Sequence, residues 1–320
     1  MTTTTTALPP PVQQKFDAKL LARPMQKNIH NTFAMQKEMD EHVGSTLRMR
    51  RYTNLQQFPV PLGPNFLNPP TQVLSAVDID AIVQFYATSV LITKQVTLIN
   101  EDPVLNETVS LLSQSLRDTE DTLIKTMLSS TASFVNASGG TNGDVPTNLS
   151  RIDIEQVVQA LLTADGDYIT NQIDAEDKYG TSPVFDAFFG MASTRLLPQL
   201  RQIDGWIDKA QYPSPGQTLS AEVGSVSNVR CVLSSGGVVV PNGSAAGADV
   251  YKLFVTAQQA YTTIKQNGFT AKFMYVPPTP SSADPAGLRQ YGSCRFAQAN
   301  VITNQAWIIS LNSTLSYTPV

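Results

Sequence analysis

The sequence predicts an α+β protein built around one long helix. Three observations lead there. A single stretch of about 28 residues carries a helical apolar period, and many short apolar runs are separated by Gly/Pro/Ser loops. These runs do not alternate regularly with helices, and no internal repeat is present.

Residues 1–14, MTTTTTALPPPVQQ, are Thr- and Pro-rich low complexity, for which disorder is expected. From Lys15 to Leu47 the text is polar with isolated apolar residues such as Leu20, Leu21, Phe33 and Met35. It predicts at most a short helix or two and little burial. MRRYTNLQQFPVPLGP (Met49–Pro64) follows, extended and proline-punctuated, with two adjacent arginines and too few apolar groups for a core strand. In Leu74–Ile92, the residues Val77, Ile79, Ala81, Val83 and Phe85 alternate with Asp78, Asp80 and Gln84. Period two over this length predicts one long, half-buried strand. A second extended piece, LITKQVTLI, is expected after it.

The best-specified element is EDPVLNETVSLLSQSLRDTEDTLIKTMLSS. Asp102 suits the N-cap and Pro103 the first turn. Leu105, Val109, Leu112, Leu116, Leu123 and Met127 recur at threes and fours, predicting a helix from Pro103 to Ser129. Its length would be about 42 Å. SFVNASGGTNGDVPTN reads as a loop. Ser150 and Asp153 then form a capping signature before the stripe Ile154, Val157, Val158, Leu161 and Leu162. A strand over Pro183–Met191 and a short helix around Thr194–Gln202 come next. VRCVLS, GVVV, DVYKLFVT, AKFMYV and AWIISLNSTLSY are the remaining strand candidates.

Composition narrows the function. Hydrophobic residues make up 42% of the 320, enough for a sizeable core, while charged residues are only 15%. Low charge with much Thr, Ser, Asn and Gln suits surfaces that meet other protein. Net charge is −4, yet residues 1–52 hold eight Lys/Arg against four acids, leaving −8 on the rest. A basic leader on an acidic body can dock on another copy or touch a polyanion.

Chemistry is scarce. The only histidines, His30 and His42, lie in the leader at no metal-ligand spacing, so Ser–His and Cys–His systems lack a base in the body. Cys231 and Cys294 are too few for a disulfide framework or a cysteine zinc site. SGGTNGD lacks the ending of a phosphate-binding loop. The clusters Asp165/Asp167 and Asp174/Glu176/Asp177 do not match a calcium loop. No segment has the roughly 20 apolar residues of a membrane span. Catalytic, metal and cofactor residues are therefore assigned to none, and no membrane is expected. Carboxylate pairs need no sequence signature, so a carboxylate-based hydrolase stays open as an alternative of a different class.

The order of these pieces carries a resemblance. RRYTNL (Arg50–Leu55), a Pro-rich run, a long strand, EDPVLNE (Glu101–Glu107) and the long helix resemble the N4-like branch of tailed-bacteriophage major capsid proteins. AEVGSVSNVRCVLS resembles that family's glutamate-x-glycine turn and following strand. ADPAGLRQYGSCRF with NQAWIISL resembles its closing segment, through Asp284, Pro285, Gly287, Tyr291, Gly292 and Trp307. The likeness spans roughly residues 48–312. It departs after Val184–Met191, where the usual His–Pro is missing, and in Ser214–Ala248, which carries extra Gly/Ser loop.

The resemblance implies the HK97-type capsid fold. Residues 1–48 would be an N-terminal arm and 49–96 an E-loop, the two-stranded flap that lies across a neighbouring subunit. Residues 97–140 and 271–320 would form a peripheral domain with a long spine helix, and 141–270 an axial domain. It implies a structural, non-enzymatic protein that self-assembles into pentamers and hexamers of an icosahedral phage head enclosing dsDNA. Synthesis in the host cytoplasm, portal and scaffold partners, and a decoration protein as a further candidate go with it. Arg50, Arg51, Tyr52, Phe58 and Leu62 would make the inter-subunit contact. An encapsulin-like compartment shell shares the fold and stays as an alternative.

Overall fold

The computed structural model describes residues 25–57, 59, 71–99, 104–169, 186–212, 219, 221–282 and 284–317. Two sheets, a projecting hairpin and one long helix organise them. The first sheet contains β1 (Met35–Met39), β4 (Gln84–Thr93), β12 (Tyr261–Gln266), β13 (Lys272–Val276) and β14 (Arg289–Ile302). β14, at 14 residues, is its axis. One edge of β14 pairs with β4 over ten positions; the other pairs with β12 and then β13, end to end. β1 adds in parallel to β12, with Met35 opposite Thr262 and Met39 opposite Gln266.

The second sheet is ordered β5 (Ser133–Asn136), β15 (Ile308–Ser313), β11 (Val250–Thr256), β6 (Phe188–Ser193), β9 (Val229–Ser234), β8 (Glu222–Val226) and β7 (Ile207–Asp208). A short β10 (Val239–Val240) pairs with β11. Its central strands are buried on both faces, which explains runs such as FFGMAS with no polar alternation. On one face Phe188, Val229, Cys231 and Leu253 pack under α3 (Arg151–Thr163) through Ile154, Val157 and Leu161. On the other, Phe189, Met191, Val232 and Phe254 meet Ile124 and Leu128 of α2 (Val104–Thr131) and Ile29 and Phe33 of the N-terminal segment. A β-bulge in β8 brings Gly224 so close to Trp206 and Ile207 O that a side chain there would collide with both.

α2 runs unbroken, matching the predicted helix closely at both ends; Asp102 and Pro103 lie outside the described residues. Its buried face is turned relative to the predicted stripe. Leu112 is buried, whereas Leu105 is exposed and the deepest contacts are Ile124 and Leu128. α3 starts at the expected capping box, with Asp153 Oδ2 accepting from the Ser150 N–H at 3.0 Å. After β6, a 3₁₀ turn at Thr194–Leu196 leads into α4 (Leu197–Gln202), as expected. Residues 183–185 of the predicted strand lie outside the described residues.

Several expectations need correction. The long strand is two, β3 (Ala76–Ile82) and β4, separated at Val83, which is buried and donates its N–H to Ser45 O at 2.8 Å. LITKQVTLI is not extended throughout: after Thr93 it turns into α1 (Lys94–Ile99). Residues 133–136 of the predicted loop form β5, parallel to β15. The leader buries more than its polarity suggested, since Ile29, Phe33, Ala34 and Met39 are core residues.

Candidate inter-subunit surface

β2 (Thr46–Tyr52) and β3 form an antiparallel hairpin outside both sheets. Alternation gives it two different faces. Leu47, Met49 and Arg51 share one with Ala81, Ile79 and Val77. Near the body this face is buried: Met49 and Ala81 pack on Met39, Val83, Ile264 and Ala297. Farther out the support ends, and Val77 is exposed.

The other face is ionic. Arg48 Nε donates to Asp80 Oδ1 at 2.7 Å and Arg50 Nε to Asp78 Oδ1 at 2.7 Å, each with a second bond from Nη2. The hydrogen bonds from Arg50 and Arg48 hold the Asp78 and Asp80 carboxyls below the ordinary aspartate range. Beyond the hairpin pairs, the two chain segments stay linked by Thr53 N–H to Ser75 O at 2.9 Å and by Gln72 bridging Gln56. Large apolar side chains there lie open: Val73 is 90% exposed, Leu74 67%, Tyr52 62% and Leu55 54%. Exposed apolar side chains gathered on one projecting element make it a candidate contact surface.

The expected contact residues separate on inspection. Arg50 is engaged within its own flap. Arg51, on the opposite face, is exposed and has no ion pair among the described residues. Tyr52 is exposed at the end of β2. Phe58 and Leu62 lie outside the described residues. The Arg–Asp ladder was missed in the sequence, although Arg48-x-Arg50 facing Asp78-x-Asp80 was a readable signal.

Two buried polar pairs were also missed. Arg230 and Glu222 meet through two bonds of 2.6 Å, with side chains 5% and 0% exposed, and the guanidinium lies 5.3 Å from the Phe189 ring centre. His30 is fully buried against Asp121. Burial pushes the Cys231 thiol up to about 12, so it is inert as a nucleophile. No group of three or more His, Cys, Asp or Glu among the described residues could hold a metal ion. No described helix is long and apolar enough to cross a membrane. Asp174, Glu176 and Asp177 lie outside the described residues.

Neither the family models nor the curated proteins contain a match to this sequence. Solved structures do match. The chain aligns with the capsid of Ralstonia phage GP4 over 100% of both chains, at TM-score 0.71 and 14% identity. It aligns with the capsid of cyanophage Pam1 over 96% of this chain and 98% of that one, at TM-score 0.64 and 12% identity. The head structure of Helicobacter pylori bacteriophage KHP40 matches over 99% and 98%, at TM-score 0.64 and 11% identity. With its long helix, paired sheets and projecting flap, the chain has the HK97-type capsid fold.

Proposed function

We propose that this chain is the major capsid protein of a tailed bacteriophage, a structural protein that self-assembles into an icosahedral head. The observation that carries the reading is the whole-length likeness to phage capsid chains, flap included, with no large part of either chain left over. The uncovered apolar side chains at the far end of the flap support it, because a neighbouring copy would bury them.

In this reading the flap is the E-loop within 49–96, α2 is the spine helix of a peripheral domain (97–140 and 271–320), and 141–270 is the axial domain. The arm, 1–48, divides into a leader and a docked segment. Axial domains gather into pentamers and hexamers, and flaps tie these capsomers together. Each contact can be weak, since closure multiplies contacts through effective concentration. The shell encloses dsDNA without reading its sequence, is built in the host cytoplasm and becomes part of the virion. Portal, scaffold and decoration proteins are its expected partners, and the motifs shared with the N4-like branch favour that branch.

Electron microscopy of the purified chain, alone and with its scaffold, tests the reading. Closed shells of pentamers and hexamers support it. Monomers or open tubes under all conditions overturn it, and shells loaded with an enzyme instead of DNA favour an encapsulin-like compartment.

A further inference from the structure

The sequence holds three Asn–Gly pairs: Asn142–Gly143, Asn242–Gly243 and Asn267–Gly268. In such a pair the side-chain amide carbon Cγ is an electrophile within reach of the next backbone nitrogen, which no following side chain shields. The fold treats the three pairs differently. Asn142 Oδ1 accepts the Asn136 N–H at 2.9 Å, and the Gly143 N–H donates to Ser138 Oγ at 2.6 Å. Both reacting groups are thus held. Asn267 is half-buried; its Nδ2 donates to Asp40 Oδ1 at 3.3 Å and its own N–H to Met39 O at 2.9 Å. The Glu41 side chain lies so close over Gly268 that a Cβ there would collide with it.

Asn242 has none of these restraints. It is exposed, and its side-chain amide makes no hydrogen bond among the described residues. Pro241 and Asn242 are the central residues of a turn closed by Gly243 N–H to Val240 O at 3.3 Å. That separation is beyond the ordinary range of about 2.7–3.2 Å, so the attacking nitrogen is weakly held. Asn242 also stands in left-handed backbone, at φ 52°. The strand before it, β10, is only two residues long, so little ordered structure resists opening of the turn.

We propose that Asn242 is a self-modification site, converting spontaneously to iso-aspartate and aspartate. The Gly243 nitrogen gives its proton to water and bonds to Asn242 Cγ. The bond from Cγ to Nδ2 breaks, Nδ2 takes up a proton, and ammonia leaves a five-membered succinimide. Water then opens the ring. Attack at Cγ restores the chain as aspartate, and attack at the backbone carbonyl leaves iso-aspartate, with the chain running through the side chain. Water is the only co-reactant. Asp249 Oδ1 already accepts the Asn242 N–H at 3.0 Å, so either product puts a second carboxylate beside the first. The site belongs to the chain itself and does not rest on the proposed role in a shell.

Each pair falls in a different tryptic peptide, 126–151, 231–252 or 266–272, so mass spectrometry reads the three separately. The purified full chain is aged in mildly alkaline buffer, and the amide-to-acid mass increase is followed in each peptide. In the native chain 231–252 should convert at least tenfold faster than the other two. In denaturant, where all three pairs are equally free, that lead should shrink to threefold or less. A native lead smaller than tenfold overturns the assignment. So does a lead above threefold in denaturant, since the neighbouring sequence and not the fold would then set the rate. On anion exchange the aged wild type should yield a more acidic species, whereas Asn242→Gly, which suits the left-handed backbone, should not. An equal acidic fraction in both also overturns it.

Discussion

Arg50 and Asp78 face each other across the flap, joined by bonds of 2.7 Å and 3.0 Å. The resemblance implies that Arg50 contributes to the contact with a neighbouring subunit. Its partner is in the same hairpin, and with Arg48–Asp80 it makes a two-rung ladder along one face. Arg51, on the opposite face, has no ion pair among the described residues.

Changing Arg48 and Arg50 together to Ala should leave global melting almost unchanged, because exposed pairs contribute little to the fold. Exchange and proteolysis at 46–56 and 72–82 should rise, and high salt should produce a weaker version of the same effect in the wild type. The pH dependence has a definite sign. Folding depresses the two aspartates, so the ladder is complete above the ordinary value of about 3.9. It is lost only as pH falls through the lower folded values. Acid titration of flap exchange reads this directly.

Arg51→Ala should behave in the opposite way. Melting temperature and flap protection of the subunit should match the wild type, whereas the yield of closed shells by electron microscopy should drop. Equal loss of flap protection in Arg50→Ala and Arg51→Ala would assign both to their own chain.

Burial raises the Glu120 carboxyl above the ordinary range, only partly offset by Lys265 at 4.0 Å and by Arg117. A carboxyl raised on folding favours the folded state where it is protonated and weighs against it once pH passes the folded value. Glu120→Gln should therefore melt higher than the wild type at pH 7. The difference should vanish below about pH 4, where both states bind the proton.

Leu116→Pro removes the hydrogen bond to the Leu112 carbonyl in the middle of α2 and forces a ring against that turn. The cost should be about 3 kcal/mol or more in denaturant unfolding. Normal stability would mean that α2 is already interrupted there.

Arg230→Met leaves the Glu222 carboxylate buried without its bidentate partner. Loss of one member of such a pair costs about 3–5 kcal/mol, whereas replacing both by apolar side chains is often neutral or better. Unfolding of Arg230→Met and of Arg230→Met/Glu222→Leu should show that contrast, the double variant being the more stable.

The parts legible in the sequence were those with local signals. α2 and α3 were readable because caps and apolar period agree, and β9, β11 and β15 because each is a short, mainly apolar run bounded by loop residues. β14 was not, although it is the longest strand. The residues it turns toward α2 include Gln290, Gly292 and Gln298, so its period of two carries no hydropathy contrast. α1 was misread because LITKQVTLI alternates as well as it turns, and neither pattern wins over so few residues. The flap was legible as an extended excursion, and its ionic ladder only through the matched spacing of Arg48-x-Arg50 and Asp78-x-Asp80. His30 was beyond reach, since nothing near it in the chain indicates a carboxylate 91 residues away.

The attachment of β4 to β14 determines what kind of motion the flap can have. Ten consecutive register pairs, from Gln84–Gln298 to Thr93–Arg289, fix β4 in place. A slip of one residue would turn Ile92 and Tyr86 to the opposite side of the sheet, so translation is closed to the flap. Between β3 and β4 stands a single residue, Val83, which donates its N–H to Ser45 O and is buried against Met39, Ile264 and Ala297. The second connection, 40–45, is a turn with left-handed backbone at His42 and Gly44. The flap is thus joined to the body by two short connections and by the packing of Met49 and Ala81, with its register fixed at β4.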